Sequence, residues 1–191
     1  MDLQMWYSIV SVFYYNKIDI LRTYIYMNKK GITLENAIHE KFMMMAYREA
    51  LKAYSKLETP VGAVIVFDGK IIARGHNLRE QKQDPTQHAE IIAIKKAAKK
   101  LGSWRLTDCD LYVTLEPCPM CAGLLIQSRI RNLYYGAKDP KAGAVGSVLD
   151  ILAIEKFNHK VNVYSGIMEK ECSSVLKEFF RELRKSKSKK L

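Results

Sequence analysis

A chain of 191 residues with 48% hydrophobic and 27% charged residues is long enough for one domain with a core of its own, and the balance is ordinary for a soluble globular protein. Four cysteines are too few for a disulfide-built scaffold and point to reduced thiols in a cytosol. A formal charge of +11, from 31 Lys and Arg against 20 Asp and Glu, favours a polyanionic partner such as nucleic acid or an acidic membrane face, although the closing "RELRKSKSKKL" carries much of that excess.

The opening "MWYSIVSVFYY" is apolar and aromatic but too short for a membrane helix, which needs roughly 20 residues. Asp2 stands where a signal peptide would carry basic residues, and no small-residue cleavage site follows. Residues 1–37 are therefore assigned to an N-terminal extension, with translation expected to begin at Met27. No internal repeat stands out. From about Leu34 to Leu57 the spacing is helical, with Phe42, Ala46, Ala50 and Ala53 on one stripe. "TPVGAVIVF" and "KIIARGHN" read as two strands joined by an Asp-Gly hairpin turn. A helix follows from about His88 to Leu101, then a short buried strand, Leu111 to Leu115. Cys109 falls in a polar turn before that strand and receives no role. "PCPMCAGLLIQS" reads as a helix with proline at its entrance, where a missing N–H costs nothing. "NLYYGA" and "VNVYSG" supply the fourth and fifth strands. The last helix repeats Cys172, Val175, Leu176, Phe179, Phe180 and Leu183 at three- and four-residue steps, so one face packs on the sheet and Cys172 is a small core residue. Helices between strands predict an α/β domain, a three-layer α/β/α sandwich around a five-stranded mixed sheet. The hairpin supplies antiparallel pairing, and the crossovers favour parallel neighbours. The domain is placed at residues 38–184, with 185–191 as a basic tail.

The chemistry concentrates in two stretches, "QHAE" with His88 and Glu90, and "PCPMC" with Cys118 and Cys121. Singly they are weak: His-x-Glu arises by chance, and a C-x-x-C is also a redox pair. Together, one histidine and two cysteines are three ligands of the kind zinc prefers, and three protein ligands leave a corner open, as catalytic sites do. Cys118 and Cys121 sit three apart at a helix start and can face the same way. Residues i and i+2 of a regular helix do not share a face, so His88 must sit at or before the first turn, with Glu90 just inside it. A carboxylate beside such a centre can take a proton from activated water and pass it to a leaving group.

"HAE" followed by "PCPMC" resembles the signature of the zinc nucleoside and nucleobase deaminases. "PVGAVIV", "DPTQHAEIIAI", "TLEPCPMCAG", "GAKDPKAGAVGSVLDIL", "FNHKV" and "FFRELR" follow in order, and together they resemble the bacterial tRNA-specific adenosine deaminases, over about Glu40 to Arg184. The resemblance implies a cytidine-deaminase-like sandwich, a cytoplasmic homodimer that does not enter a membrane, and one Zn2+ per subunit held by His88, Cys118 and Cys121. It implies zinc-hydroxide attack on purine C6 of the wobble adenosine, with Glu90 as proton shuttle. Asn77 resembles the asparagine that hydrogen-bonds the flipped base, and Asp139 a residue near the ribose. The tRNA anticodon stem-loop, of an arginine acceptor, is the implied partner, and Lys138, Lys141, Arg181 and the tail are candidates to meet its phosphates.

Two other readings compete. A deaminase of free guanine, cytosine or nucleosides shares the metal chemistry, but the "GAKDPKAGAVGS" loop and the positive charge speak against it. A non-catalytic zinc-stabilised RNA-binding module would need no acid at Glu90, and structural sites take four protein ligands.

Overall fold

The computed structural model describes residues 33–188. The expected extension and the start at Met27 therefore lie almost wholly outside the described residues. Contacts divide the chain into two units, residues 1–39 and 40–191. Of the first, only residues 33–39 are described, the opening of helix α1 (Leu34–Tyr54).

The second unit is built on five strands: β1 (Gly62–Phe67), β2 (Lys70–His76), β3 (Cys109–Leu115), β4 (Asn132–Ala137) and β5 (Asn162–Ser165). The helices are α2 (Arg79–Lys82), α3 (Ala89–Leu101), α4 (Pro119–Gln127) and α5 (Glu169–Ser188). The sheet order is β2-β1-β3-β4-β5. Strand β1 runs antiparallel to both neighbours, while β3, β4 and β5 are parallel. The mixed sheet is as the sequence predicts, with one difference. The crossover through α3 joins β2 to β3, which run the same way but are not neighbours, because β1 lies between them. At the hairpin, Asp68 and Gly69 both take positive φ, 47° and 66°, the pair of values that lets a two-residue turn match the twist of its strands.

Alternation in the strands sends side chains to two faces. Ala63, Ile65, Leu111, Val113 and Leu133 face one way and form a core with Ala89, Ala93 and Ala97 of α3 and with Ala122 and Leu125 of α4. On the other face lie Val64, Tyr112 and Tyr134, with Phe42, Met43, Ala46 and Ala50 of α1 and Cys172, Val175 and Phe179 of α5 also buried. Tyr112, Tyr134 and Tyr164 are direct partners on β3, β4 and β5. Their rings stack at 4.5 and 4.7 Å, and Phe42 packs on the end of the row at 5.2 Å, geometry that adds roughly 0.5–1.5 kcal/mol per pair beyond burial.

Cys109 is not in a polar turn. It opens β3 and is fully buried, because the strand begins two residues earlier than its apolar run suggests, and burial pushes its thiol up to about 11. Cys172 is a buried core residue as expected, its thiol raised by burial to about 12. Helix α5 continues to Ser188, into the stretch assigned to the basic tail.

Candidate active site

Strands β2, β3 and β4 all run toward the same edge of the sheet, so the segments leaving them converge there, where α/β sheets bind ligands. His76 ends β2 and Asn77 follows. Leu115 ends β3 and leads through Glu116 and Pro117 into α4. Ala137 ends β4 and leads to Asp139.

His88 is the N-cap of α3, with extended backbone (φ −76°, ψ 152°), and Cys118 is the N-cap of α4 in the same conformation (φ −73°, ψ 172°). Pro119 takes the first helical position and Cys121 the third. Placing His88 outside the first turn resolves the i, i+2 conflict, because Glu90 then stands inside the helix on a different backbone geometry. The α3 N-terminus is held close to the sheet by small residues. A Cβ on Gly75 would come within 2.2 Å of the Ala89 carbonyl oxygen, so only glycine permits this approach.

His88 Nδ1 lies 3.6 Å from Cys118 Sγ and 3.6 Å from Cys121 Sγ, and the three donor atoms lie within 4.8 Å of one another. Bonds of about 2.3 Å to sulfur and about 2.05 Å to nitrogen at a tetrahedral angle would separate the donors by about 3.6 Å. The residues therefore fit a zinc ion. In the bare protein the Cys118 thiol is drawn down to about 4, chiefly by the hydrogen bond from Cys121 and then by His88. Cys121 is pushed up by the same bond and by burial. Zinc takes both cysteines as thiolates, so a divalent cation bound here would displace their protons.

Glu90 is 4% exposed. Burial raises its pKa, against its own backbone N–H, the His88 charge and the Cys121 thiol, which lower it. It shares a cavity of about 210 Å³ with His88, Cys118, Asn77 and Asp139, so every site residue singled out in the sequence except the fully buried Cys121 lines one hollow. Asp139 reaches it in a particular way. Its Oδ1 accepts the N–H groups of Lys141 and Ala142 at 2.9 and 3.2 Å, which makes a local turn of the Asp-Pro sequence.

Two carboxylates in this region went unrecognised in the sequence. Glu116 is buried and accepts the N–H groups of Asp139, Val145 and Ser147, each at 3.0 Å, and the Ser147 hydroxyl. It fastens the cavity-wall loop to the end of β3. Glu58 is fully buried and accepts from Asn77 and from the backbone of α2. Glu116 carried a signal, since it stands inside "TLEPCPMCAG". Glu58 precedes Thr-Pro in a turn and had none.

A second hollow of about 690 Å³ adjoins the first, and Thr59, Leu115 and Asp139 line both. Lys138, Lys141, Lys177 and Arg184 border it beside Phe180. Of the cations expected to meet phosphates, Lys138 and Lys141 are in this group. Arg181 points to Glu178 at 3.2 Å instead. Among the described residues no helix is long and apolar enough to cross a membrane.

Residues 37–184 match the MafB19-like deaminase family, and the sandwich with its three-donor site is a deaminase architecture. The chain is 53% identical over 148 residues to the tRNA-specific adenosine deaminase of Bacillus subtilis (strain 168), covering 78% of this chain and 92% of that one. A solved structure from work on A-to-I editing by tRNA:A34 deaminases superposes with a TM-score of 0.69 at 48% identity, over 71% of this chain and 99% of its own. A guanine deaminase from Bacillus subtilis superposes with a TM-score of 0.52 at 44% identity, over 57% and 70% of the two chains. The chain belongs to the tRNA-specific adenosine deaminase family.

Proposed function

We propose that the chain hydrolyses adenosine to inosine at the wobble position of a tRNA, an arginine acceptor on family resemblance, acting as a zinc-dependent cytoplasmic homodimer. One observation carries this: His88 Nδ1 lies 3.6 Å from both Cys118 Sγ and Cys121 Sγ, at the wall of a small cavity that a buried carboxylate and an asparagine also line. His88 Nδ1, Cys118 Sγ and Cys121 Sγ would hold the metal, which when bound supplies Lewis-acid activation of water for attack at purine C6.

The protein's own groups do the rest. Glu90, whose burial raises its affinity for a proton, takes one proton from the attacking water and delivers it to purine N1, then takes the second from the oxygen now on C6 and delivers it to the departing amine. The C6–N bond breaks, ammonia leaves, and the water oxygen stays on C6. Asn77 offers its amide to the substrate, and Asp139 shapes the cavity wall through its turn. The lysine-bordered hollow next to the cavity suits phosphates of the strand that carries the base. Flipping is cheapest from a single-stranded loop.

The test compares kcat/KM for an anticodon stem-loop bearing wobble adenosine with that for free adenosine and free guanine. The stem-loop is expected to exceed both by orders of magnitude and to lose affinity as salt rises. Equal or better turnover of free guanine would make the chain a base deaminase instead.

A further inference from the structure

Glu58 is a carboxylate that the reaction does not use. It lies in the turn between α1 and β1 and is fully buried. Burying a carboxylate is costly unless its lone pairs are satisfied, and here three N–H donors satisfy them. Oε1 accepts the Gln81 N–H at 2.7 Å. Oε2 accepts the Glu80 N–H at 3.2 Å and the Asn77 Nδ2 at 3.0 Å. The two backbone donors can only donate, so they pin the carboxylate and leave it as an acceptor toward Asn77.

The consequence falls on Asn77. Its backbone N–H is already tied to the Val61 carbonyl at 3.0 Å, and its side chain is 7% exposed. The freedom that remains is the 180° flip of the amide, whose two ends have almost the same shape but opposite hydrogen-bonding character. With Nδ2 on Glu58, the carbonyl oxygen Oδ1 is left for the cavity that Asn77 lines. The flipped amide would set Oδ1 against Oε2, acceptor on acceptor, in a buried site.

We propose that Glu58 is a positioning residue: it fixes the flip of the Asn77 amide, so that an acceptor is presented to the substrate before the substrate enters. The proposal rests on Asn77 being a substrate contact. Glu58 does not line the cavity, and its action passes through Asn77. A Glu58→Gln change leaves one amide oxygen, in place of two carboxylate oxygens, for the three N–H donors, so the acceptor that fixes the Asn77 flip is weakened and contested.

The test is a double-mutant cycle on the zinc-loaded chain with the anticodon stem-loop as substrate. Glu58→Gln is expected to raise KM about tenfold, the scale of one misplaced hydrogen bond. It should leave kcat within about twofold and the zinc content unchanged, because what is lost is binding common to ground and transition states. In an Asn77→Ala background, the same change should add less than about twofold. A wild-type KM for Glu58→Gln, or effects that multiply in the double variant, would overturn the proposal. An Asn77→Ala chain with unaltered kinetics would instead overturn the substrate role of Asn77, and the proposal with it. Should Glu58→Gln fail to fold, the wild-type chain still decides. The Asn77 side-chain NH2 signal, assigned by its loss in Asn77→Asp, should exchange with solvent at least about 100-fold more slowly than an exposed asparagine. Exchange at the exposed rate overturns the proposal.

Discussion

His88 Nδ1 stands 3.6 Å from Cys118 Sγ, although the two residues are thirty positions apart and lie on different helices. Each is the N-cap of its helix, so the metal-binding group is assembled from two helix mouths rather than from one loop. Cys121 completes it from within the first turn of α4. With the serine hydroxyl a poor ligand for zinc beside thiolate, Cys121→Ser should weaken zinc binding by well over tenfold. Elemental analysis after dialysis against a mild chelator would read this as a fall from one zinc per chain toward none. Retained metal would remove Cys121 from the ligand set.

Glu90 separates binding from chemistry. Glu90→Ala should keep its zinc and lose kcat by roughly 10²–10⁴-fold, the range for removing a general acid–base group. Zinc content and inosine formation measured on one preparation distinguish this from simple loss of the metal.

Gly75 links the sheet to the site. A methyl group there would meet the Ala89 carbonyl at 2.2 Å and the Ala93 nitrogen at 2.8 Å, both backbone atoms of α3. Relief requires moving the helix start that carries His88 and Glu90. Gly75→Ala should therefore cost about 3 kcal/mol or more in denaturant unfolding and weaken zinc binding as well. Gly123→Ala, where nothing lies within 4 Å of the added carbon, serves as the matched control and should do neither.

Much of this was legible in the sequence, and the reasons differ by feature. The hairpin was fixed by Asp68-Gly69, whose positive φ values are a local demand. The helix entrances were marked by Pro119 and by the impossibility of His88 and Glu90 sharing a helical face. The sheet order was not legible, because it depends on which strands pair, and β1 pairs on both sides and separates the two strands that the α3 crossover joins. Cys109 was missed because its neighbours Asp108 and Asp110 are polar, which hides a strand that begins there. Glu116 stood inside a motif but its burial did not show, and Glu58 carried no signal at all. A sequence does not show that a charged residue is buried until the fold brings backbone N–H groups around it.

Glu116 predicts an acid-side signature. Burial alone would raise its pKa, but the Ser147 hydroxyl and the N–H groups of Asp139, Val145 and Ser147 bring it below the usual glutamate range. A folded-state pKa below the unfolded one gives stability that is complete above the ordinary value, near pH 4.3, and is lost as pH falls through the lower folded value. Glu116→Gln should cost about 2–3 kcal/mol at pH 7. The gap between variant and wild type, measured by denaturant unfolding, should narrow as pH falls from 6 toward 3. A gap that stays constant would mean that the carboxylate charge is not what holds the loop.

The coordination of the bound metal tests the account most directly. X-ray absorption at the zinc edge on the purified, zinc-loaded chain should find two sulfur donors at about 2.3 Å and lighter donors, nitrogen and oxygen, at about 2.0 Å. The oxygen should remain in Glu90→Ala. A centre with four protein donors, an oxygen shell lost with Glu90, or a chain that takes up no zinc would contradict an open His88–Cys118–Cys121 site.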